Sequence, residues 1–291
     1  MSFNSQYLKI RELVHNELEI IENKMVSLIN TREPLNSHII NFLKAPSKRI
    51  RPLLSIIFYK SLFGNLDDSQ LSALSAVELI HSASLIHDDI IDESNTRRGL
   101  KTTANVFGNK LGVISGDYLL SVAMKVVTEL GSIELLKNLS NTLNKMCIGE
   151  INQNFDRFKI AEIENYIEKS KNKTAYLFES AILAPFFIKG FENINASNFG
   201  INVGIAFQIR DDLLNLTNLD ISKPVKNDIS DGIYNAPIIY GGSVENYLNG
   251  VEKTKDLLNN YVNNAYLNIE EIPYTEYKEG LLNFLELLKN D

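Results

Sequence analysis

The stretch LIHDDIIDESNTRRG, residues 85–99, sets Asp88, Asp89 and Asp92 among apolar neighbours and follows them with Arg97 and Arg98. Asp88 and Asp92 are four residues apart, so on a helix their side chains share one face, with Asp89 beside them. Unpaired carboxylates at the end of an apolar helix are costly, and a cation is the natural compensation. Clustered carboxylates suit magnesium, a hard ion that takes a few protein oxygens and fills its shell with water and phosphate oxygens. Guanidinium forks match phosphate oxygens, so carboxylates followed by arginines point to a metal-bound phosphate. The bland alternative for one such cluster is a solvated helix turn.

A second cluster counts against that alternative. DDLLN, at 211–215, repeats the pattern of DDIID, at 88–92, and each copy follows an apolar stretch: LSALSAVELIHSASLIH before Asp88, NFGINVGIAFQIR before Asp211. A second basic group lies upstream in PSKRIRPLL. Pro52 fits the first turn of a helix and so gathers Lys48, Arg49 and Arg51 around its start, where free backbone amides also attract anions. A basic helix start on the surface is the plainer reading of that group alone.

The elements that must position these residues are helical. Apolar residues recur at three- and four-residue steps nearly throughout, with no sustained strand-like alternation, which predicts an all-α fold. Breaks at 43–48, 63–69, 94–109, 129–132, 190–198 and 218–237 read as loops between helices, so residues 1–291 are expected to form a single domain. A chain of 291 residues with 44% hydrophobic content can bury a substantial core. Its net charge of −7 argues against a nucleic-acid partner, because a phosphate backbone selects a basic surplus. One cysteine, Cys147, forms no intramolecular disulfide, and the first residues, MSFNSQYLKIREL, lack the basic start and apolar core of a secretory signal. A reduced, cytoplasmic protein is expected. No unbroken apolar run approaches the ~20 residues that span a bilayer, and AILAPFFI, at 181–188, is too short, so no stable membrane insertion is expected.

Taken in order, KRIRP, DDIID, RRG, NKTAYLFES, FQIRDD, SKPVKND and DGIYNAP resemble the trans-polyprenyl diphosphate synthases, head-to-tail prenyltransferases. The resemblance implies the isoprenoid-synthase fold, a bundle of long, mostly antiparallel helices around a central cavity, with the two aspartate-rich motifs facing each other at its mouth. It also implies the reaction: isopentenyl diphosphate is joined to an allylic diphosphate such as geranyl, farnesyl or geranylgeranyl diphosphate. By the same resemblance Asp88, Asp92 and Asp211 hold magnesium, three ions per site, with Asp89 and Asp212 in support. Arg97, Lys173 and Lys223 hold the allylic diphosphate, and Lys48, Arg51, His81 and Arg98 hold isopentenyl diphosphate. His81 lies two helical turns before Asp88 on one face, although a lone histidine in an apolar helix is ordinarily a core residue. Thr174 and Gln208 match oxygens that face the allylic cation as it forms, and the released diphosphate is the base. A homodimer is expected by analogy.

The same positions bear on product length. Ala83 and Ser84, one turn before Asp88, are small, so the tail is expected to pass toward Ile80 and Val77. Glu150 would mark the mouth on another helix, with Met146 and Leu143 toward a floor, giving a product longer than farnesyl. Some positions depart from the family pattern. Asn215 stands for an aspartate, Ile233 for a lysine and Ser47 for a glycine. Leu100 and Lys101 follow RRG unexpectedly, and the stretch after Pro237 is short. Ile233 and Asn215 motivate a second reading, a catalytically weak subunit that tunes an active homologue. A third reading, a terpene cyclase, has no use for Lys48, Arg51 and His81 together.

Overall fold

Apolar residues at helical spacing become helices, as expected, and they do so almost everywhere. The computed structural model describes residues 3–217, 229 and 231–289. Short helices α1 (Phe3–Glu12), α2 (His15–Ser27) and α3 (Leu35–Lys44) lead into α4 (Ile50–Phe63) and the long α5 (Asp68–Ile91). A two-residue hairpin, β1 (Thr96–Arg97) with β2 (Leu100–Lys101), and α6 (Thr103–Phe107) precede α7 (Asn109–Glu129) and α8 (Ile133–Phe155). Helix α9 (Ile163–Ser170) passes through a π-helical segment, Lys171–Ala175, into α10 (Tyr176–Ile188), and α11 (Ile194–Thr217) follows. Helices α12 (Ala236–Gly241), α13 (Tyr247–Ile269) and α14 (Glu276–Lys289) complete the order.

Contacts group the chain into two compact units. One comprises Arg11–Lys137 with Ala181–Glu192; the other comprises Met1–Ile10, Asn138–Ser180 and Asn193–Asp291. Three boundaries fall within α1, α8 and α10, and the fourth falls in the loop between α10 and α11.

In the first unit α5 is the central rod. Asp67 starts it with a reciprocal cap: its carboxylate accepts from the Gln70 amide at 2.9 Å while the Gln70 side chain accepts from the Asp67 amide at 2.9 Å. Most of α5 is buried on all sides, which is why its apolar residues show little facial preference. Helix α7 packs closely along it because Gly112 and Gly116, four apart, present no side chain. A Cβ at Gly116 would lie 2.2 Å from His87 Nε2, and one at Gly112 would lie 2.8 Å from Ile90 Cδ1. Pro185 sits inside α10, where it lacks the amide that would bond to the Ala181 carbonyl. Ser55 Oγ donates to that carbonyl at 2.6 Å instead, and Gln70 Nε2 donates to the Pro185 carbonyl at 3.0 Å. AILAPFFI is therefore a core helix with its proline compensated.

In the second unit α11 packs against α13 and the π-helical segment. Gly200 and Gly204, again four apart, let the start of α10 and the π-helical segment approach α11 closely. A Cβ at Gly200 would fall 2.6 Å from Glu179 Cα, and one at Gly204 would fall 2.5 Å from Ala175 Cα.

Two expectations need correction. Residues 94–109 are not a single loop, since they contain the hairpin and α6: Thr102 Oγ1 caps α6 by accepting from the Asn105 amide at 3.1 Å. Helix α7 is also long and apolar enough to cross a membrane by length and composition, with a mean hydropathy of 1.4 over its most apolar window. Asp117, Lys125 and small residues break its apolar run, so a search for unbroken runs passes it over. One face packs on α5, while Val113 and Ile114, at 44% and 48% exposure, look outward.

Candidate diphosphate and metal site

Each unit carries one aspartate cluster. In the first unit Asp88 is half-buried near the end of α5, and Asp92 is its exposed C-terminal cap residue, its amide bonding the Asp88 carbonyl at 2.8 Å. Asp89 points the other way and is 3% exposed. Its Oδ1 accepts from both Nε and Nη2 of Arg97 at 2.7 Å. Burial raises the Asp89 pKa, and the Arg97 bond and charge oppose that rise. The hairpin carries Arg97 on β1, with Arg98 and Gly99 in its turn; both take a positive φ, 52° and 78°. Arg97 and Arg98 thereby leave the chain within one tight reversal just beyond the carboxylates.

Around His81 the expected basic group assembles. Burial chiefly, then Arg51, Arg98, Arg49 and Arg97, hold the His81 pKa well below the usual imidazole range, so the ring is neutral at pH 7. Arg51 is deeply placed, and burial lowers its pKa to about 10, with Glu78 opposing and Arg98 adding to the fall. Arg98 is lowered too, chiefly by burial, and its Nη1 is buried with no hydrogen-bond partner. Lys48 is exposed just ahead of α4. Arg49 plays a different part from its neighbours. It is 6% exposed, pairs with buried Glu78 at 3.2 Å and bonds the Leu43 carbonyl, which anchors the start of α4 to α5. Glu78 carries no sequence signal of its own, because it sits alone in an apolar helix.

In the second unit the π-helical segment carries Lys173 and Thr174. Single π turns recur at functional sites because they shift side-chain register within a helix. Lys173 Nζ pairs with Glu150 Oε2 at 2.9 Å. Thr174 donates to Gln208 Oε1 at 2.8 Å, Gln208 Nε2 donates to Asp212 Oδ1 at 3.0 Å, and Tyr166 donates to Asp212 Oδ2 at 2.6 Å. These bonds orient the Gln208 amide and leave the Thr174 oxygen able to accept. Burial pushes the Asp212 pKa up to about 6, against the Tyr166 bond, the Lys169 charge and the Gln208 bond. The same contact and its own burial drive the Tyr166 phenol well above its usual range. Asp211 is exposed on the outer side of α11, and Asn215 one turn on is exposed as well. Tyr166 and Lys169 carry no motif signal and emerge only from the packing of α9 against α11. Lys223 lies outside the described residues.

Taken unit by unit, the donors suit magnesium: Asp88 and Asp92 in the first and Asp211 in the second are carboxylates with hard oxygens, and beside them Asp89 accepts from Arg97 and Asp212 from Tyr166. Among the described residues no group of three or more His, Cys, Asp or Glu side chains is gathered as a complete metal site. Of the chain-length positions, Ala83 and Ile80 are 3% and 1% exposed on α5. Ser84 is half-buried and donates to the His81 carbonyl at 2.9 Å, and Met146 is half-buried on α8.

Several known proteins resemble this chain over most of its length. A prenyl transferase of Cyanidium caldarium is 29% identical over the whole of this chain and 99% of its own. Solanesyl-diphosphate synthase 1, mitochondrial, of Oryza sativa subsp. japonica is 31% identical over 93% of this chain and 74% of its own. The crystal structure of a decaprenyl diphosphate synthase from Rhodobacter capsulatus superposes with a TM-score of 0.87 over 97% of this chain and 98% of its own, at 22% identity, and shares the fold. With residues 32–273 matching the polyprenyl synthetase family as well, the chain belongs to that family and is a prenyltransferase.

Proposed function

We propose that the protein condenses isopentenyl diphosphate with an allylic diphosphate, with magnesium assistance, to give a trans-prenyl diphosphate longer than farnesyl. The observation that carries this is the cluster of Arg51, Arg98 and neutral His81 on the unit that holds Asp88 and Asp92, with a buried Arg98 nitrogen lacking a partner. That is a preformed anion site beside a carboxylate pair. Arg51, Arg98, Lys48 and His81 bind the diphosphate of isopentenyl diphosphate. Asp88, Asp92 and Asp211 hold magnesium, three ions in all, and Lys173 with Lys223 binds the allylic diphosphate. Bound magnesium neutralises the leaving diphosphate and so eases ionisation of the allylic carbon–oxygen bond.

The chain's own residues shape the rest. Asp89 fixes Arg97 toward the leaving group. The Thr174 hydroxyl oxygen and the oriented Gln208 amide place fixed dipoles where positive charge develops, which is worth most in a dry site. Neutral His81 leaves the arginines to carry the charge. The proton lost after bond formation goes to the released diphosphate. Small Ala83 and Ser84 leave the tail a way toward Ile80, with Met146 as a floor position. The two units work as one synthase domain, and the reaction takes place in the cytoplasm, in keeping with the free thiol of Cys147. The outward apolar side chains Val113 and Ile114 of α7 support a homodimer through that helix.

The test is incubation of the purified chain alone with labelled isopentenyl diphosphate, magnesium and separate geranyl, farnesyl and geranylgeranyl starters, with products resolved by length. Elongation past farnesyl is expected. Folded protein that yields no product from any starter sinks the reading in favour of the partner-dependent subunit.

A further inference from the structure

Glu78 is a buried carboxylate inside α5, and the charges that face it are cations. Its Oε2 lies 3.2 Å from Arg49 Nη1, and both side chains are buried. The same negative charge acts on Arg51, in the first turn of α4, and on Arg98, in the hairpin turn, where Asp89 acts as well. His81 follows three residues on along one face of α5, and Arg51, Arg98 and Arg49 all act on it. The start of α4, the hairpin and α5 thus converge on one buried carboxylate. Arg49, the residue that caps α4, takes a left-handed backbone, with φ 51° and ψ 43°. A non-glycine residue keeps that conformation only where its surroundings enforce it, and the Glu78 pair and the bond to the Leu43 carbonyl do so here. With Arg49 fixed, the direction in which Arg51 leaves the chain is fixed too. An anchor alone needs no charge, because apolar side chains of similar volume can replace a buried ion pair with little loss of stability. What an apolar pair cannot do is balance the mutual repulsion of Arg49, Arg51 and Arg98 while no anion is bound.

We propose that Glu78 is a positioning residue of the isopentenyl diphosphate site: its buried carboxylate holds Arg49 in place and keeps Arg51 and Arg98 convergent beside His81 until a diphosphate arrives. The proposal rests on the synthase reading above and adds to it a residue that acts through the three arginines. Its sign is distinctive. By long-range attraction alone, removing a negative charge beside an anion site tightens anion binding, whereas removing a positioning group weakens it.

Three variants test it: Glu78→Gln, Glu78→Asp, and Arg49→Met combined with Glu78→Met, which removes both charges and leaves the net charge unchanged. Each is measured for binding of isopentenyl diphosphate by calorimetry, and for KM with both substrates, after circular dichroism and melting report on the fold. Glu78→Gln is expected to weaken isopentenyl diphosphate binding and raise its KM about tenfold, the worth of one charge-assisted contact, with KM for the allylic diphosphate unmoved. Glu78→Asp keeps the charge and retains most of the affinity. The double variant regains the melting temperature of the wild type but not its affinity, and it carries the test by itself should Glu78→Gln fail to fold. A purely structural pair would regain both. Unchanged or tighter isopentenyl diphosphate binding in folded Glu78→Gln, equal losses for both substrates, or wild-type affinity in the double variant overturns the assignment while the synthase reading stands. Wild-type protein that neither binds isopentenyl diphosphate nor elongates any starter overturns both.

Discussion

The two aspartate clusters share a plan and differ in what stands behind it. Each helix carries outward carboxylates in its C-terminal part, Asp88 and Asp92 on α5 and Asp211 on α11, and each has one inward carboxylate next to them. On α5 the inward Asp89 meets a cation, Arg97, delivered by a hairpin. On α11 the inward Asp212 meets neutral donors, Tyr166 delivered by α9 and Gln208 one turn earlier on α11 itself. Burial raises both carboxyls: at Asp89 the Arg97 bond and charge oppose the rise, and at Asp212 the Tyr166 bond, the Lys169 charge and the Gln208 bond oppose it, yet Asp212 still reaches about 6. The same residue type at matching places thus carries different electrostatic burdens.

The largest break in the comparison is expected at an outward position. Asp88→Asn should lower kcat about a thousandfold, equal to several kcal/mol of lost leaving-group stabilisation, with little change in melting temperature. A loss below tenfold would remove Asp88 from the metal site.

Next in size is a pH effect confined to the α11 cluster. A carboxyl whose folded pKa is raised contributes stability that is complete below the unfolded value near 3.8 and is lost as pH rises through the folded value of about 6. Without magnesium, raising the pH from 4 to 7 should cost about 2.4 kcal/mol through this one group, and Asp212→Asn should flatten that part of the profile. Denaturant melts of both proteins across this range provide the check, and an unaltered profile would place the titration elsewhere.

The inward partners should separate next. Arg97→Ala strands Asp89 and is expected to cost about 2 to 3 kcal/mol, less than for a fully buried pair because Arg97 is 31% exposed. Tyr166→Phe removes a neutral donor and should cost about 1 kcal/mol. Equal losses in urea titrations would erase the distinction.

The smallest contrast concerns the glycines that bring a neighbouring helix or segment against each cluster helix. Gly204→Ala drives a methyl into Ala175 backbone and should cost about 2 kcal/mol, while Gly116→Ala meets the movable tip of His87 and should cost under about 1 kcal/mol. Comparing the two melting temperatures reads the difference.

Much of the site was legible in the chain because its signals are local. Two carboxylates four residues apart share a face on any helix, and arginines within one short loop must emerge together. The helical class was legible for the same reason, from the three- and four-residue spacing of apolar positions. Local signals failed where a residue's importance depends on a remote partner. Arg49 resembles Arg51 in sequence, yet Glu78, 29 residues on, turns it into an anchor for α4. Nothing in YIEKS distinguishes Tyr166 or Lys169 until α9 packs beside α11. The π-helical register at Lys173 is likewise invisible to a pattern that assumes uniform turns.

By itself the sequence determined the chemistry available: hard carboxylate oxygens in two clusters, guanidinium and ammonium groups for phosphate, and small residues before Asp88. Only tertiary structure decided which aspartates face outward and which arginine is structural. The physical reason is range. Helical periodicity and side-chain chemistry act between near neighbours, whereas burial, pairing and pKa are set by groups that the chain brings together from far apart.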